Sequence, residues 1–128
     1  MASYRALLAT LIFVSAQSSV SAEALRFQCR FDMHSTIDGL EFDEQPFKFD
    51  IHFDEVSHDA FIKGNVGISP LEAVVGRDGI SFVEKLGTGA LHITTINQRG
   101  FAVHSRHPLF GGGILASQYY GECPTSRQ

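Results

Sequence analysis

The chain has 128 residues, 44% hydrophobic and 19% charged, with a net charge of −4 at pH 7. That length sustains one domain rather than two, and an acidic balance without a basic stripe argues against a nucleic-acid partner. Two cysteines in the whole chain leave room for one disulfide.

Residues 1–22 carry the three parts of a secretory signal. Arg5 supplies a positive charge, Ala6 to Ala16 form an apolar run, and Val20-Ser21-Ala22 places small residues at a cleavage site; Ala24 offers a second one. The apolar run is too short to span a bilayer, which takes about 20 residues. No cysteine follows the cut, so neither a lipid anchor nor a stable membrane anchor is expected. Residues 23–128 are then a single exported domain. Neither Asn65-Val66-Gly67 nor Asn97-Gln98-Arg99 is a glycosylation sequon, which favours a bacterial envelope and a periplasmic location over a eukaryotic secretory route. Acids crowd the first half, where ten between 23 and 59 face only Arg26, Arg30 and Lys48. Such a half attracts a basic partner or is simply a solvated face.

After the signal the hydrophobic period is two. Leu25, Phe27, Cys29, Phe31 and Met33 alternate with polar residues, and Phe47, Phe49, Ile51 and Phe53 repeat the pattern. A strand puts each set on one face, whereas a helix would scatter it. Turn signals then recur at Asp38-Gly39, Ser57–Asp59, Arg77–Gly79, Gly87–Gly89, Gln98–Gly100 and Gly111–Gly113. They bound strands predicted at 25–34, 46–54, 60–67, 71–76, 80–86, 90–96, 101–107 and 114–123. Pro70 is expected in a connection, and residues 54–60 or 69–74 have room for one helical turn.

The fold class expected is therefore all-β: a small antiparallel meander of about eight strands closed into a barrel, which removes exposed sheet edges. An open sandwich is the alternative. Cys29 and Cys123 stand in the first and last strands, which are neighbours in an up-and-down barrel, and in an exported chain they predict one disulfide. Ten phenylalanines after the signal favour a filled interior.

Catalytic signals are weak, and no enzyme activity or cofactor is expected. His104 and His107 are spaced for one helix face but fall in a strand, where residues three apart point to opposite sides. His34, His52, His58 and His92 read as ordinary exposed residues, and no metal site is predicted. The acidic run Asp38–Glu44 lacks the calcium-loop pattern. Ser105 lies beside two histidines without a glycine-framed elbow.

The least strand-like stretch is Gly100–Gly113, followed by Ser117–Cys123. Here Ser105, Arg106, His107, Tyr119 and Tyr120 are the candidate partner-binding residues, since arginine bonds carboxylates with both prongs and tyrosine anchors interfaces. The plainer reading pairs Arg106 with a neighbouring acid and buries one tyrosine in the core.

Phe27-Gln28-Cys29 at the start, Tyr120-Gly121-Glu122-Cys123 at the end and the meander between them resemble the small exported inhibitors of c-type lysozyme of Gram-negative bacteria. That family's loop motifs have no aligned counterpart here, and the tryptophan frequent in its second half is missing. His104–His107 and Ser117–Cys123 also resemble segments of small exported alphaproteobacterial proteins of unassigned activity. The first resemblance implies inhibition of a basic peptidoglycan hydrolase, a lysozyme or lytic transglycosylase, with Arg106 and Ser105 set against its catalytic carboxylate. Removing the Arg106 side chain would then cost about 1–3 kcal/mol of binding. A lipocalin-like small-ligand carrier and an accessory envelope protein are the alternatives.

Overall fold

The computed structural model describes residues 10–12 and 24–128. The predicted signal at 1–22 lies outside the described residues apart from 10–12.

Strands follow one another in a meander: β1 (Ala24–Thr36), β2 (Gly39–Asp54), β3 (Ala60–Gly64), β4 (Gly67–Val75), β5 (Gly79–Lys85), β6 (Leu91–Asn97) and β7 (Phe101–Arg106). A short hairpin, β8 (Leu109–Phe110) with β9 (Gly113–Ile114), then leads to β10 (Ser117–Glu122) and β11 (Thr125–Arg127). Each of β1 to β6 pairs antiparallel with the next, and β10 pairs with both β7 and β1. The ring of β1–β7 and β10 is a closed eight-stranded barrel. Closure leaves no sandwich edge and gives the ladder groups of the first and last strands a partner.

The seam is built from a split strand. β10 pairs with the far half of β1, from Arg30 to Ser35, and β11 with its near half, from Leu25 to Phe27. Cys123 lies between them and is bonded to Cys29 of β1, tying the chain's ends where the partner strand changes. The Cys123 amide donates to the Gly100 carbonyl and the Gln28 amide to the Pro124 carbonyl, so the break leaves these amides satisfied. Gly121 packs directly on β1, where any Cβ would collide with the Arg30 carbonyl. That approach accompanies a bulge between Phe31 and Met33.

Phe27, Phe53 and Phe82 meet edge to face, with centroids 5.5–5.6 Å apart, at the end where the chain enters. Ile51 and Ile96 fill the adjoining space, and Phe31 and Phe49 form the next layer. This half of the interior is solid. Phe42, Phe61, Phe101 and Phe110 instead lie exposed, so the phenylalanine count overstates the filling.

Several local expectations are corrected. β2 begins at Gly39, because the Ile37-Asp38 hairpin returns the chain directly along β1. Pro70 lies within β4, opposite Phe61. Pairing with β5 starts only at Glu72, so Pro70 has no ladder bond to lose on that side. The β3–β4 break falls instead at Asn65-Val66. Residues 54–60 hold a turn capped by the Asp54 carboxylate, which accepts from the Val56 and Ser57 amides, and residues 69–74 are strand.

Candidate functional site

Strand alternation divides the five candidate residues between the two faces of the barrel wall. In β7, Ala102, His104 and Arg106 share the inner face while Val103 and Ser105 take the outer one. Register carries this across to β10: Tyr119 opposes His104 inside, and Tyr120 opposes Val103 outside. Tyr120 is engaged on the outer surface, where its hydroxyl lies 2.9 Å from Ser35 Oγ. His107 is exposed just beyond the end of β7. The structure thus brings Arg106 and Tyr119 together and separates them from Ser105, His107 and Tyr120.

Arg106 and Tyr119 belong to a polar layer above the phenylalanines, at the end of the barrel that carries the β1–β2, β3–β4, β5–β6 and β7–β10 connections. The Arg106 guanidinium carbon lies 5.2 Å from the Phe47 ring centroid and 5.9 Å from that of Tyr119. Its Nε is buried and has no hydrogen-bond partner among the described residues. No acid forms an ion pair with it among the described residues. The expected pairing of Arg106 with a neighbouring acid is not made, whereas Tyr119 does pack against the core.

His104 sits one layer deeper, only 2% exposed, ringed by Phe31, Phe47, Phe49 and Tyr119. Its Nδ1 is 2.7 Å from Thr94 Oγ1. Burial, reinforced by the Arg106 and His92 charges, lowers its pKa to about 3, so the ring is neutral. His92 faces the same space and holds Glu84 Oε1 at 3.1 Å. Burial and then Arg106 push its pKa down as well, against the pull of Glu84.

His34 and His92 depart from the expectation of exposed histidines. The bulge after Phe31 shifts the phase of β1 and turns His34 inward, where it stacks on Tyr119 and binds the Asp43 carboxylate at 2.8 Å. His92 lies inside because β6 turns Thr94 and Ile96 inward with it, sending Leu91 and Ile93 to the outer face. No group of three or more histidine, cysteine or carboxylate side chains among the described residues could hold a metal ion.

These side chains wall a half-open cavity of about 400 Å³ in the barrel mouth. Glu84, His92, His104 and Arg106 form its polar side, Ile62, Val66 and Leu86 contribute apolar surface, and Phe47 and Phe49 join them. The opening exists because β2 outruns its neighbour. Only Asp50–Phe53 pair with β3, so the upper half of β2 has no partner on that side. A broader hollow of about 1020 Å³ runs along the outer face, where Arg30, Asp32 and Glu122 alternate with apolar residues such as Met33, Phe101 and Val103.

The rim is unusually apolar. Ile37 is 99% exposed, Val66 103% and Phe110 71%, each on a different connection at this end, with Leu40, Phe42, Ile114 and Leu115 beside them. The connections at the opposite end carry Glu55, Asp59, Arg77, Asp78 and Arg99, with Val56 the one large exposed apolar residue among the turn residues 55–59, 76–78 and 98–100. The inward histidines and the rim were not legible as a site. The signal that could have shown them is the polar inner set His92, Thr94, His104 and Arg106 on adjacent strands, once their phase is known.

No protein-family model, curated protein or solved structure matches this chain.

Proposed function

We propose that the protein is an exported, non-catalytic binding protein of the bacterial envelope that takes a small ligand into the open end of its barrel. The observation that carries this reading is the half-open cavity of about 400 Å³ between a polar and an apolar wall. It falls within the volume range of about 300–1,000 Å³ usual for small-molecule sites. The Cys29–Cys123 disulfide accords with a periplasmic or extracellular setting, where such a bond persists. The neutral, buried His104, bonded to Thr94, and the pairing of His92 with Glu84 form the polar side of the wall.

Gly64 provides the test. It lines the cavity, and a Cβ there would meet only Phe49 Cβ, at an ordinary 4.0 Å. Gly64→Leu should therefore fill the mouth without disturbing the barrel. The wild-type protein isolated from its own compartment should carry a ligand by native mass spectrometry, and Gly64→Leu should be empty. Equal occupancy in the two proteins would refute a ligand in the mouth.

Inhibition of a peptidoglycan hydrolase is the second reading, favoured by the apolar rim around Arg106 and by the acidic first half of the chain. In that case the partner must send a carboxylate into the mouth, because Arg106 lies within it rather than on the outer wall beside Ser105. Muramidase inhibition by the oxidised protein that is abolished by Arg106→Ala would support it. Equal activity of hydrolase with and without the protein would reject it.

A further inference from the structure

We infer that the ligand of this cavity is a carboxylate on a small apolar body, anchored by the guanidinium of Arg106. This deepens the small-ligand reading and rests on it.

Among the described residues Arg106 is a donor without an acceptor. Its ring contacts with Phe47 and Tyr119 engage the positive charge but leave the N–H groups unused, and buried Nε has no partner at all. A buried donor left unbonded is costly, and most are satisfied in folded proteins. The carboxylate that lines the same wall, Glu84, is held by His92 and makes no ion pair with Arg106. Burial lowers the pKa of both histidines that line the cavity, that of His104 to about 3. The fixed charges facing the cavity are thus Arg106 and Glu84, with the exposed Lys48 at its margin.

One guanidinium near one carboxylate suits a monoanion. A phosphate dianion would need further donors, and Glu84 would repel it more strongly than it repels a monoanion. The planar two-pronged geometry of a carboxylate matches the guanidinium edge. The rest of the ligand meets Phe47, Phe49, Ile62, Val66 and Leu86, which offer it no charge. Val66 also belongs to the apolar rim, so an apolar body finds a continuous path from the mouth to the anchor.

The test compares octanoate with octanol, which share a chain and differ in the charged end. The ¹⁵N-labelled, disulfide-intact protein is titrated with each at pH 8. Octanoate should bind about ten-fold or more tightly than octanol and should move the Arg106 Nε–H resonance. Arg106→Met should lose that advantage while keeping its affinity for octanol. Equal affinity of the wild type for both compounds, or an unmoved Nε–H resonance with octanoate bound, would overturn the anchor and leave the cavity reading intact. Binding of neither compound would overturn the apolar monoanion, and an empty wild-type protein by native mass spectrometry would bring down the small-ligand reading itself.

Discussion

Acid should destabilise this barrel through His104, and the size of the effect follows from its surroundings. The ring is packed among aromatic side chains and bonded to Thr94, with its pKa lowered from 6.5 to about 3. In the unfolded chain it regains the ordinary value. Between these two values the unfolded state binds the extra proton, so stability rises with pH across the window and is lost as pH falls below 6.5. Each pH unit is worth about 1.4 kcal/mol, which makes about 2.7 kcal/mol at pH 4.5. That is a large part of the roughly 5–15 kcal/mol by which domains are stable. Urea unfolding of the disulfide-intact protein at pH 7.5, 6.5, 5.5 and 4.5 measures it. The control is His104→Gln, whose amide can still bond Thr94 but does not titrate. Carboxylates also lose stabilisation in acid, among them Asp54, held low by the Ser57 and Val56 amides, and Glu72, held low by Lys85. Those contributions are common to both proteins and cancel in the difference. The wild-type curve should fall more steeply below pH 6.5, and parallel curves between pH 6.5 and 4.5 would refute the argument.

Two further perturbations test the seam. Gly121→Ala forces a methyl group onto the Arg30 carbonyl and should destabilise the fold by about 1–3 kcal/mol, read as a lower urea midpoint. Replacing Cys29 and Cys123 together by serine releases a closure of 94 residues in sequence separation and should remove roughly 4–5 kcal/mol. A reduced protein as stable as the oxidised one would show that the β1–β10 and β1–β11 ladders hold the ends without the bond. Phe31→Ala empties a fully buried site against Phe47, Phe49 and His104 and should cost about 3–5 kcal/mol by the same assay.

Much of the architecture was written in local chemistry. Alternation in residues 25–31 and 47–53 specifies which face is buried, because side chains in a regular strand alternate with period two, and only Met33, beyond the bulge, breaks the predicted set by facing outward. Glycine located several turns for a similar reason: Gly39, Gly89, Gly100 and Gly111 take positive φ, which is a local demand. Eight strands with cysteines in the first and near the end of the last then imply closure. Phase was harder to read. One bulge after Phe31 turns His34 inward, and in β6 the apolar Leu91 and Ile93 lie outside while His92 and Thr94 lie inside. No single strand contains the information that decides this, since His92 and Thr94 go inward only with the partners that meet them, Glu84 and His104.

The sequence by itself determined an all-β chain, most of its turns and the pairing of its two cysteines, because these follow from side-chain periodicity, backbone angles and redox chemistry. Only the tertiary structure decided that Arg106 and Tyr119 face inward while Ser105 and Tyr120 face out. It alone showed that the unequal lengths of β2 and β3 open a mouth, and that apolar tips from separate connections surround it. Those features arise from register and strand ends meeting in space, between residues far apart along the chain.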